Sequence, residues 1–355
     1  MSVVRAEGIG AERSLPGIRT VRLDIAEILA HTDPFAPVAP RIFDIEAIGF
    51  CPYRCGFCYG PEHAIKGELN AESLADISVL FTSLGTERFV VTGGEPLLRR
   101  DIGTIIDNIP QAHSDSCEAP VGVTLSTTGY GLLTKHTGVL ESLNKRRVSE
   151  VGLPVHGHNS ELHNMMMPTI NTANDNNQSL FQSIEVLLAN QMQYPNILSK
   201  LRTVATSLNQ NHLHLIPDML ARHGVDLARI AWKVYQVNDF IGPRLDAITT
   251  DHWQLGNRRF ALVADYLHRH FDSWFQSVDC QPATDSAERY MFLSPRGVLR
   301  VIKADNYGNP EEVEVGNLVT DPLQTMEKLT HFDYLPMRNI ADSALRQLLV
   351  YEQCR

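Results

Sequence analysis

Three cysteines lie close together near the start of the chain, in the segment GFCPYRCGFCYG at residues 49–60. Their spacing is Cys51-x₃-Cys55-x₂-Cys58, and the intervening glycines and proline favour a loop in which thiolates converge. Thiolates are soft ligands that select iron–sulfur clusters or zinc. Both a [4Fe–4S] cluster and a structural zinc site take four ligands, so the set is one short. A cluster with one open iron is favoured, and zinc with His63 as a nitrogen ligand is the alternative.

Short β-type runs alternate with amphipathic helical segments, and this alternation must position the cysteines. The predicted strands cover 42–48, 88–92, 121–126, 150–156, 200–206 and 229–237. The predicted helices cover 70–85, 101–109, 134–144, 178–190, 211–223 and 251–271. Serial strand–helix units predict a parallel sheet covered by helices, and six units are fewer than the eight of a closed barrel. The predicted fold class is α/β, an open partial (β/α)6 TIM-like barrel, with a flat doubly wound sheet as the alternative.

The alternation breaks near residue 280, which suggests three regions. Residues 1–40 form an irregular N-terminal segment, 41–275 the partial barrel, and 276–355 a small α+β C-terminal extension. Within the extension, ERYMFLSPRGVLRVI predicts a β-hairpin whose turn contains Pro295 and Gly297.

Charge and hydropathy exclude several classes of protein. The net charge is −10, from 31 basic and 41 acidic residues, and no basic run indicates a nucleic-acid partner. No apolar run approaches the roughly 20 residues that cross a bilayer. The N-terminus lacks the pattern of a secretory signal, and clustered cysteines suit a reducing compartment. We expect a soluble cytoplasmic protein with no membrane or nucleic-acid partner.

A second motif, TGGEP, follows the second predicted strand, with Gly93, Gly94 and Glu95 at the strand end. Glycines at this point let backbone groups approach a ligand closely. The cysteine loop and this motif lie at adjacent strand ends. Together they resemble the radical SAM superfamily, whose members carry CxxxCxxC after the first strand and GGEP after the second.

The resemblance implies a cofactor set. Cys51, Cys55 and Cys58 would hold a [4Fe–4S] cluster, and S-adenosylmethionine would supply the missing ligand. Phe57 would lie against the adenine, and the Gly93–Glu95 turn would meet the methionine amino group. In this superfamily, reduction of the cluster cleaves S-adenosylmethionine to a 5′-deoxyadenosyl radical, which takes a hydrogen atom from the substrate. An electron donor such as flavodoxin or ferredoxin is also implied.

Further cofactor contacts are expected at the ends of the later strands, where ligands gather in parallel sheets. Relatives place Ser or Thr after the third strand, so Ser126 and Thr128 are candidates, with plain turn formation as the alternative. Lys200 and Arg202 alternate onto one side of the fifth strand. Arg202 is a candidate partner for the methionine carboxylate, against a buried ion pair. Gln236 near the end of the sixth strand is a further cofactor candidate.

Histidines follow the fourth strand in PVHGHNSELH, where many relatives have Asp-Gly. His156 takes the place of the Asp, and we expect it to contact the cofactor ribose or the substrate. A structural histidine is nearly as well supported. A zinc site with His158 and His163 is less favoured, since no carboxylate or thiol partner accompanies them.

Catalytic side chains are not identified by a motif, and the candidates are His156, Tyr235 and Cys280. Tyr235 lies in WKVYQV, which looks like the corresponding stretch of viperin-type radical SAM enzymes, although a core aromatic is the commoner case. Cys280 or Cys117 could donate a hydrogen atom to a substrate radical, but a small buried hydrophobe is the expected role. The tail resembles twitch or SPASM regions without their cysteines, so no auxiliary cluster is predicted, and Cys354 has no assigned role.

The predicted function is a radical SAM enzyme that takes hydrogen from a small polar metabolite, such as a nucleotide, sugar or amino-acid derivative, in a biosynthetic pathway. One alternative is modification of a ribosomally made peptide, which the tail favours. Another is a non-enzymatic zinc-binding protein with structural cysteines.

Overall fold

The computed structural model describes residues 20–31, 40–58, 60, 67–112, 120–169, 178–237, 253–286, 290–304 and 310–330. Much of the N-terminal segment, His63, Cys117 and Cys354 lie outside the described residues. The helices are α1 Ile25–His31, α2 Ala71–Ser83, α3 Ile102–Asn108, α4 Thr137–Asn144, α5 Ser160–Met166, α6 Gln178–Gln193, α7 Ile216–Arg222, α8 Asn257–Phe271 and α9 Pro322–Thr330. The strands are β1 Ile42–Ile48, β2 Arg88–Gly93, β3 Gly122–Ser126, β4 Ser149–Pro154, β5 Ile197–Ala205, β6 Ile230–Gln236, β7 Ser277–Gln281, β8 Met291–Leu293, β9 Val298–Ala304 and β10 Pro310–Asn317.

All ten strands form one sheet in the order β10-β9-β8-β1-β2-β3-β4-β5-β6-β7. Strands β1 to β7 are parallel neighbours in chain order. A doubly wound sheet reverses its strand order at a switch point, whereas β1 to β7 follow one another without a reversal, and the order changes direction only at β8, beside β1. The sheet is also unclosed, because β7 and β10 are its two ends. The predicted open, partial barrel is therefore confirmed.

The last strands differ from the sequence-based picture. The predicted hairpin is confirmed, since β8 and β9 pair antiparallel and the Gly297 N–H donates to the Ser294 carbonyl over 2.9 Å. The strands of the extension join the barrel sheet. Strand β7 pairs parallel with β6, and β8 pairs parallel with β1. A seventh parallel strand was missed because SVDCQ has no run of β-branched residues. The boundary between the partial barrel and the extension at residue 276 remains a prediction.

Each barrel strand has two different faces. Along β5, buried and half-buried residues alternate, and the buried set contains Ile197, Leu201 and Ala205. This set packs under the helices, as do Phe43 of β1 and Phe81 of α2, whose rings stack at 4.2 Å. The other face of β5 carries Lys200 and Arg202. Because side chains alternate along a strand, the charged residues share the barrel interior.

Helix α2, which follows β1, begins at a residue whose side chain caps it. Asn70 accepts a hydrogen bond from the Ser73 N–H at the start of α2 over 2.9 Å. Among the described residues, no helix combines the length and the apolar character that crossing a bilayer requires.

Candidate active site

A cavity opens at the carboxyl ends of the strands, inside the barrel. One side of it, here called the cysteine wall, consists of lining residues from the loop after β1 and from the ends of β2 to β5. The opposite side, here called the tyrosine wall, consists of Glu46, Tyr235, Gln281, Tyr290, Phe292 and Ile302. The cysteine wall includes Cys51, Cys55 and Cys58, so the structure brings the three thiols to one cavity.

The cysteine loop is held from two directions. The Arg54 N–H donates to the Pro168 carbonyl over 2.7 Å, and the Arg54 guanidinium donates to the Cys51 carbonyl over 2.7 Å. On the other side Gly56 lies against the indole of Trp253, where a Cβ atom would come within 2.5 Å of the ring. The loop therefore depends on a glycine at this position. Phe57 lines the cavity beside this contact.

The Gly93–Gly94 turn closes onto the same loop. Gly93 has a φ of 127°, which favours glycine, and a Cβ on Gly94 would lie 2.1 Å from the Phe50 carbonyl oxygen. The Gly94 N–H donates to the Ile48 carbonyl over 2.6 Å. Both glycines line the cavity, so this backbone is presented directly to a ligand.

Glu95 differs from the two glycines that precede it, because its side chain is turned away from the cavity. Its side chain is fully buried and is not among the cavity-lining residues. It accepts hydrogen bonds from the Thr127 hydroxyl at 2.5 Å and from the Thr128 N–H and hydroxyl at 2.7 and 2.5 Å. Burial raises the pKa of Glu95 above its ordinary value, although these hydrogen bonds oppose the shift. Glu95 is thus a positioning residue that ties the end of β2 to the end of β3, because a buried carboxylate needs such donors.

Ser126, Thr127 and Thr128 all line the cavity. Ser126 and Thr128 were predicted, and Thr127 was not. Ser126 has a contact beyond its own turn, because its hydroxyl accepts a hydrogen bond from the Arg202 guanidinium.

Arg202 extends into the cavity over Gly152, where a Cβ atom would come within 2.4 Å of the guanidinium Nε. Lys200, two residues earlier, lies deeper and makes an ion pair with Glu150 at 3.0 Å. Arg202 itself interacts electrostatically with the buried carboxyl of Asp44. A guanidinium that faces a cavity matches a ligand carboxylate.

His156 lines the cavity, and its ring meets Phe57 edge to face at 5.0 Å. Its Nδ1 accepts the Val204 N–H over 3.1 Å, so the proton of the neutral ring is on Nε2. Burial, and then the neighbouring His163, hold the pKa of His156 well below its ordinary value. The neutral imidazole therefore offers one N–H donor to the cavity.

The other histidines are not arranged as a zinc site with His156. His163 is buried, its Nδ1 accepts the His156 N–H over 3.2 Å, and its Nε2 lies 2.6 Å from the Ser179 hydroxyl. Burial lowers the pKa of His163 to about 4. His158 stacks instead on His212 at 5.4 Å. Among the described residues, no group of three or more His, Cys, Asp or Glu side chains is arranged to hold a single metal ion.

Gln236 lines the cavity, but its amide is engaged in fixing neighbouring loops. The Nε2 donates to the Leu255 carbonyl at 2.6 Å and to Asn257 Oδ1 at 2.8 Å, and Oε1 accepts the Ala283 N–H at 3.0 Å. We therefore assign Gln236 a positioning role.

Two of the catalytic candidates lie in the cavity and one does not. His156 and Tyr235 line it. Cys280 is on the other face of β7 and packs against the core, and burial raises the pKa of its thiol to about 12. This placement does not support hydrogen-atom donation by Cys280, and it agrees with the expected small buried hydrophobe.

Most of the tyrosine wall was missed from the sequence. Gln281 and Tyr290 follow no motif, and Phe292 and Ile302 look like ordinary hairpin residues. Glu46 carried a signal, because an acidic residue in IFDIEAI at a position that alternation places inside the barrel needs a partner. Its partner is Arg300 of β9, which forms an ion pair with the buried carboxylate.

The residues of the cysteine wall fit the two groups that the sequence motifs imply. Three thiols can each ligate a different iron of a cluster, and they line the same cavity as the exposed Gly93–Gly94 backbone. The Arg202 guanidinium supplies a cation for a carboxylate, and Phe57 supplies an aromatic face.

Comparison with known proteins gives the same assignment. Residues 45–176 match the radical SAM superfamily. A probable GTP 3′,8-cyclase of Pyrobaculum aerophilum is 38% identical over 101 residues, which are 28% of this chain and 30% of that protein. A probable GTP 3′,8-cyclase of Archaeoglobus fulgidus is 33% identical over 100 residues, which are 28% and 31% of the two chains. The chain thus spans less than a third of the length of these curated relatives.

Solved structures share the fold. The native anSMEcpe structure with bound AdoMet and Kp18Cys peptide has a TM-score of 0.57 and 13% identity, over 82% of this chain and 81% of that one. Streptococcus suis SuiB bound to the precursor peptide SuiA has a TM-score of 0.52 and 14% identity, over 77% and 61%. Residues 45–176, which contain the cysteine loop and the Gly93–Gly94 turn, thus match the radical SAM superfamily, and these solved structures share the fold of the chain.

Proposed function

We propose that the chain is a radical SAM enzyme that acts on a small polar metabolite of the nucleotide kind. The observation that carries the proposal is the cysteine wall, where three thiols, a glycine backbone and a guanidinium line one cavity. When bound, a [4Fe–4S] cluster and S-adenosylmethionine supply a 5′-deoxyadenosyl radical that takes hydrogen from the substrate.

The residues of the chain hold and orient these groups. Cys51, Cys55 and Cys58 bind three irons through their thiolates. Arg202, kept in place by Ser126, binds the methionine carboxylate in the fork geometry of a guanidinium. The Gly93–Gly94 backbone meets the methionine amino group.

Phe57 and His156 serve the nucleoside part of S-adenosylmethionine. When S-adenosylmethionine is bound, the Phe57 ring would lie against its adenine, and the His156 Nε2–H would donate to a ribose hydroxyl. Because His156 is neutral, it binds without placing a second cation beside the sulfonium. The half-buried cysteine wall also limits the access of water to the reacting atoms.

A nucleotide-type substrate is supported by the relatives over the matched hundred residues, which are named as GTP 3′,8-cyclases. The alternative is modification of a ribosomally made peptide, and its support is the fold shared with the two peptide-bound structures. A flavodoxin or ferredoxin is the proposed source of the single electron that reduces the cluster.

The test is anaerobic reconstitution with iron and sulfide, addition of dithionite and S-adenosylmethionine, and quantification of 5′-deoxyadenosine and methionine. The wild type should form both products, and Cys55→Ala should reduce their formation at least a hundredfold. Cys280→Ala is the matched control, because it removes a thiol outside the cavity, and it should retain product formation.

Two results would overturn the proposal. One is a protein that retains zinc and assembles no cluster, which would favour the structural cysteine loop. The other is equal loss of product in Cys55→Ala and Cys280→Ala, which would show that any lost thiol has the same effect.

A further inference from the structure

Arg99 joins the two ends of the segment that carries the three clustered cysteines. This segment follows β1, which ends at Ile48, and precedes α2, which begins at Ala71. The Nη1 of Arg99 donates to the Ala47 carbonyl over 2.7 Å and to the Leu69 carbonyl over 2.9 Å. One guanidinium nitrogen therefore fixes the distance between the start and the end of the cysteine segment.

The contacts of Arg99 lie in the interior of the protein. Arg99 is 6% exposed, and Ala47 and Leu69 are each 1% exposed. Asp101 holds the other side of the guanidinium, because its two carboxylate oxygens accept from Nε over 2.9 Å and from Nη2 over 2.6 Å. This two-point contact directs Nη1 at the two carbonyls, and its fork geometry is one that a guanidinium has and an ammonium lacks.

Arg99 continues a series of contacts that begins at the Gly93–Gly94 turn. The Glu95 N–H donates to the Phe50 carbonyl over 2.8 Å, immediately before the first cysteine. A short 3₁₀ helix, Pro96–Leu98, then leads to Arg99. The stretch from the turn to Arg99 thus contacts the cysteine segment both at its start and at its end.

Leu69 is also held from the side of the C-terminal hairpin. Its N–H donates to the Pro295 carbonyl over 2.9 Å, in the turn between β8 and β9. Because both backbone polar groups of Leu69 are bound, the end of the cysteine segment has a fixed position, and Arg99 links that position to β1 through Ala47. Joining the ends of a long connection costs conformational entropy, which these contacts offset.

We propose that Arg99 is a positioning residue that arranges the three thiols before a cluster binds, and this role rests on the proposed function. A cluster with three thiolate ligands needs Cys51, Cys55 and Cys58 to converge on one group. Arg99 joins the ends of the segment that holds them, so loss of this contact lets the thiols separate. Ligands that are already arranged bind without the entropy cost of ordering them.

The test compares Arg99→Lys with Arg146→Lys in the reconstituted protein, since lysine keeps the charge and loses the fork. Arg146 is a matched control, because it is 4% exposed and its guanidinium also donates to backbone carbonyls, those of Ile106, Ile109 and Pro110. These carbonyls lie at the end of α3, outside the cysteine segment.

Iron release to a chelator is the first measurement. Groups that orient metal ligands typically contribute roughly 10- to 100-fold to metal affinity, so Arg99→Lys should release iron about tenfold faster than the wild type, or faster still. Arg146→Lys should release iron at the wild-type rate. The electron paramagnetic resonance signal of the reduced cluster should change in Arg99→Lys and not in Arg146→Lys, because it reports how the ligands are arranged around the irons.

Alkylation of the metal-free protein tests the same role without a cluster. Cys51 is 7% exposed, so iodoacetamide reaches its thiol when the cysteine segment opens. Cys51 should react roughly tenfold faster in Arg99→Lys, which corresponds to about 1.4 kcal/mol of lost local stability. Asp101→Asn is the milder variant, because it keeps Arg99 and removes the anion that directs it, and it should show a smaller change in the same direction.

The outcomes separate this inference from the proposed function. If the wild type cleaves S-adenosylmethionine but Arg99→Lys and Arg146→Lys release iron and react with iodoacetamide equally, the inference is wrong and the proposed function stands. If the wild type assembles no cluster, the proposed function and the role of Arg99 in cluster binding are both wrong. Circular dichroism shows whether the variants are folded, and if Arg99→Lys is unfolded, Asp101→Asn takes its place in the comparison with Arg146→Lys.

Discussion

Two layers of side chains inside the barrel lie two residues apart on the same three strands, and they behave differently. The deeper layer contains Thr124 on β3, Glu150 on β4 and Lys200 on β5, and the upper layer contains Ser126, Gly152 and Arg202. In the deeper layer Thr124 and Lys200 contact Glu150 at 2.8 and 3.0 Å, and Arg88 also forms an ion pair with it. In the upper layer the corresponding residues all line the cavity.

The difference shows how one alternating pattern serves structure and binding. Burial alone would raise the pKa of Glu150, but Arg88 and Lys200 outweigh this effect and hold it well below the ordinary range. The deeper charges are thus satisfied by each other. At the upper layer Gly152 replaces a side chain, which leaves space for the guanidinium of Arg202 and for a ligand.

Glu150→Gln is the substitution with the largest expected effect on the deeper layer. It leaves Arg88 and Lys200 buried without their shared anion, and loss of one partner of a buried ion pair costs about 3–5 kcal/mol. We expect a decrease of that size in the free energy of unfolding, measured by chemical denaturation. The exposed Glu141→Gln is the control and should change stability by less than about 0.5 kcal/mol. Equal effects of the two substitutions would show that the deeper layer is not a structural network.

Arg202→Gln tests the upper layer. Since a hydrogen bond to a charged group contributes about 1.5–3 kcal/mol, the affinity for S-adenosylmethionine should fall roughly 10- to 100-fold. Anaerobic equilibrium dialysis measures this affinity. Lys200→Gln is the matched variant from the deeper layer, and it should lower stability without changing the affinity. If both variants lose affinity equally, the assignment of stability to the deeper layer and of cofactor binding to the upper layer is wrong.

Asp44→Asn tests, through the pH dependence of stability, a buried carboxyl that interacts with Arg202 of the upper layer. Burial raises the pKa of Asp44 from 3.8 to about 7, although Arg202 and Lys233 oppose the shift. Between about pH 4 and pH 7 the folded chain therefore keeps a proton on Asp44 that the unfolded chain has lost. The protonated Asp44 contributes fully to the stability of the fold below about pH 4. This contribution is lost as the pH rises through 7, at up to about 1.4 kcal/mol per pH unit.

The variant should lack this decline, so its free energy of unfolding should gain on the wild type as the pH rises from about 4 to about 7. Urea denaturation of both proteins across this range measures the difference. Parallel pH profiles would contradict the assignment.

Gly56→Ala should have the smallest of these effects, and it tests how the loop above the upper layer is held. The added methyl group would meet Trp253, and overpacking of this kind costs about 1–3 kcal/mol. We expect lower iron content after reconstitution, restored in the double variant with Trp253→Ala. Gly103→Ala in α3, where the added Cβ meets no atom within 4 Å, is the control. If the iron content stays low in the double variant, the clash with Trp253 is not the cause of the loss.

The sequence predicted the parts of the fold that have strong local signals. The run IFDIEAI matches β1 from Ile42 to Ile48, and the Asn70 cap marks the start of α2. The cysteine loop and the Gly93–Gly94 turn came from spacing and glycine content. These features depend on residues close in the chain, so periodicity and motif reveal them.

The remaining parts depend on contacts between distant residues. Glu95 is directed away from the cavity by Thr127 and Thr128, more than 30 residues further along. Glu46 and Arg300 are 254 residues apart. The short strand β7 owes its place to pairing with β6 rather than to its own composition. Such choices are made by burial and pairing, which a local pattern does not contain.

The open sheet has a consequence for the behaviour of the protein at high concentration. Among the described residues, β7 and β10 each have a strand neighbour on one side alone, and an edge of this kind can recruit strands from other molecules. At one end, β10 carries Glu311 and Glu314, in addition to Glu312, whose charge is paired with Arg300. Two β10 strands approaching edge to edge would bring these like charges together. The sheet thus stays open to ligands, while the charges on β10 oppose pairing of this edge with strands of other molecules.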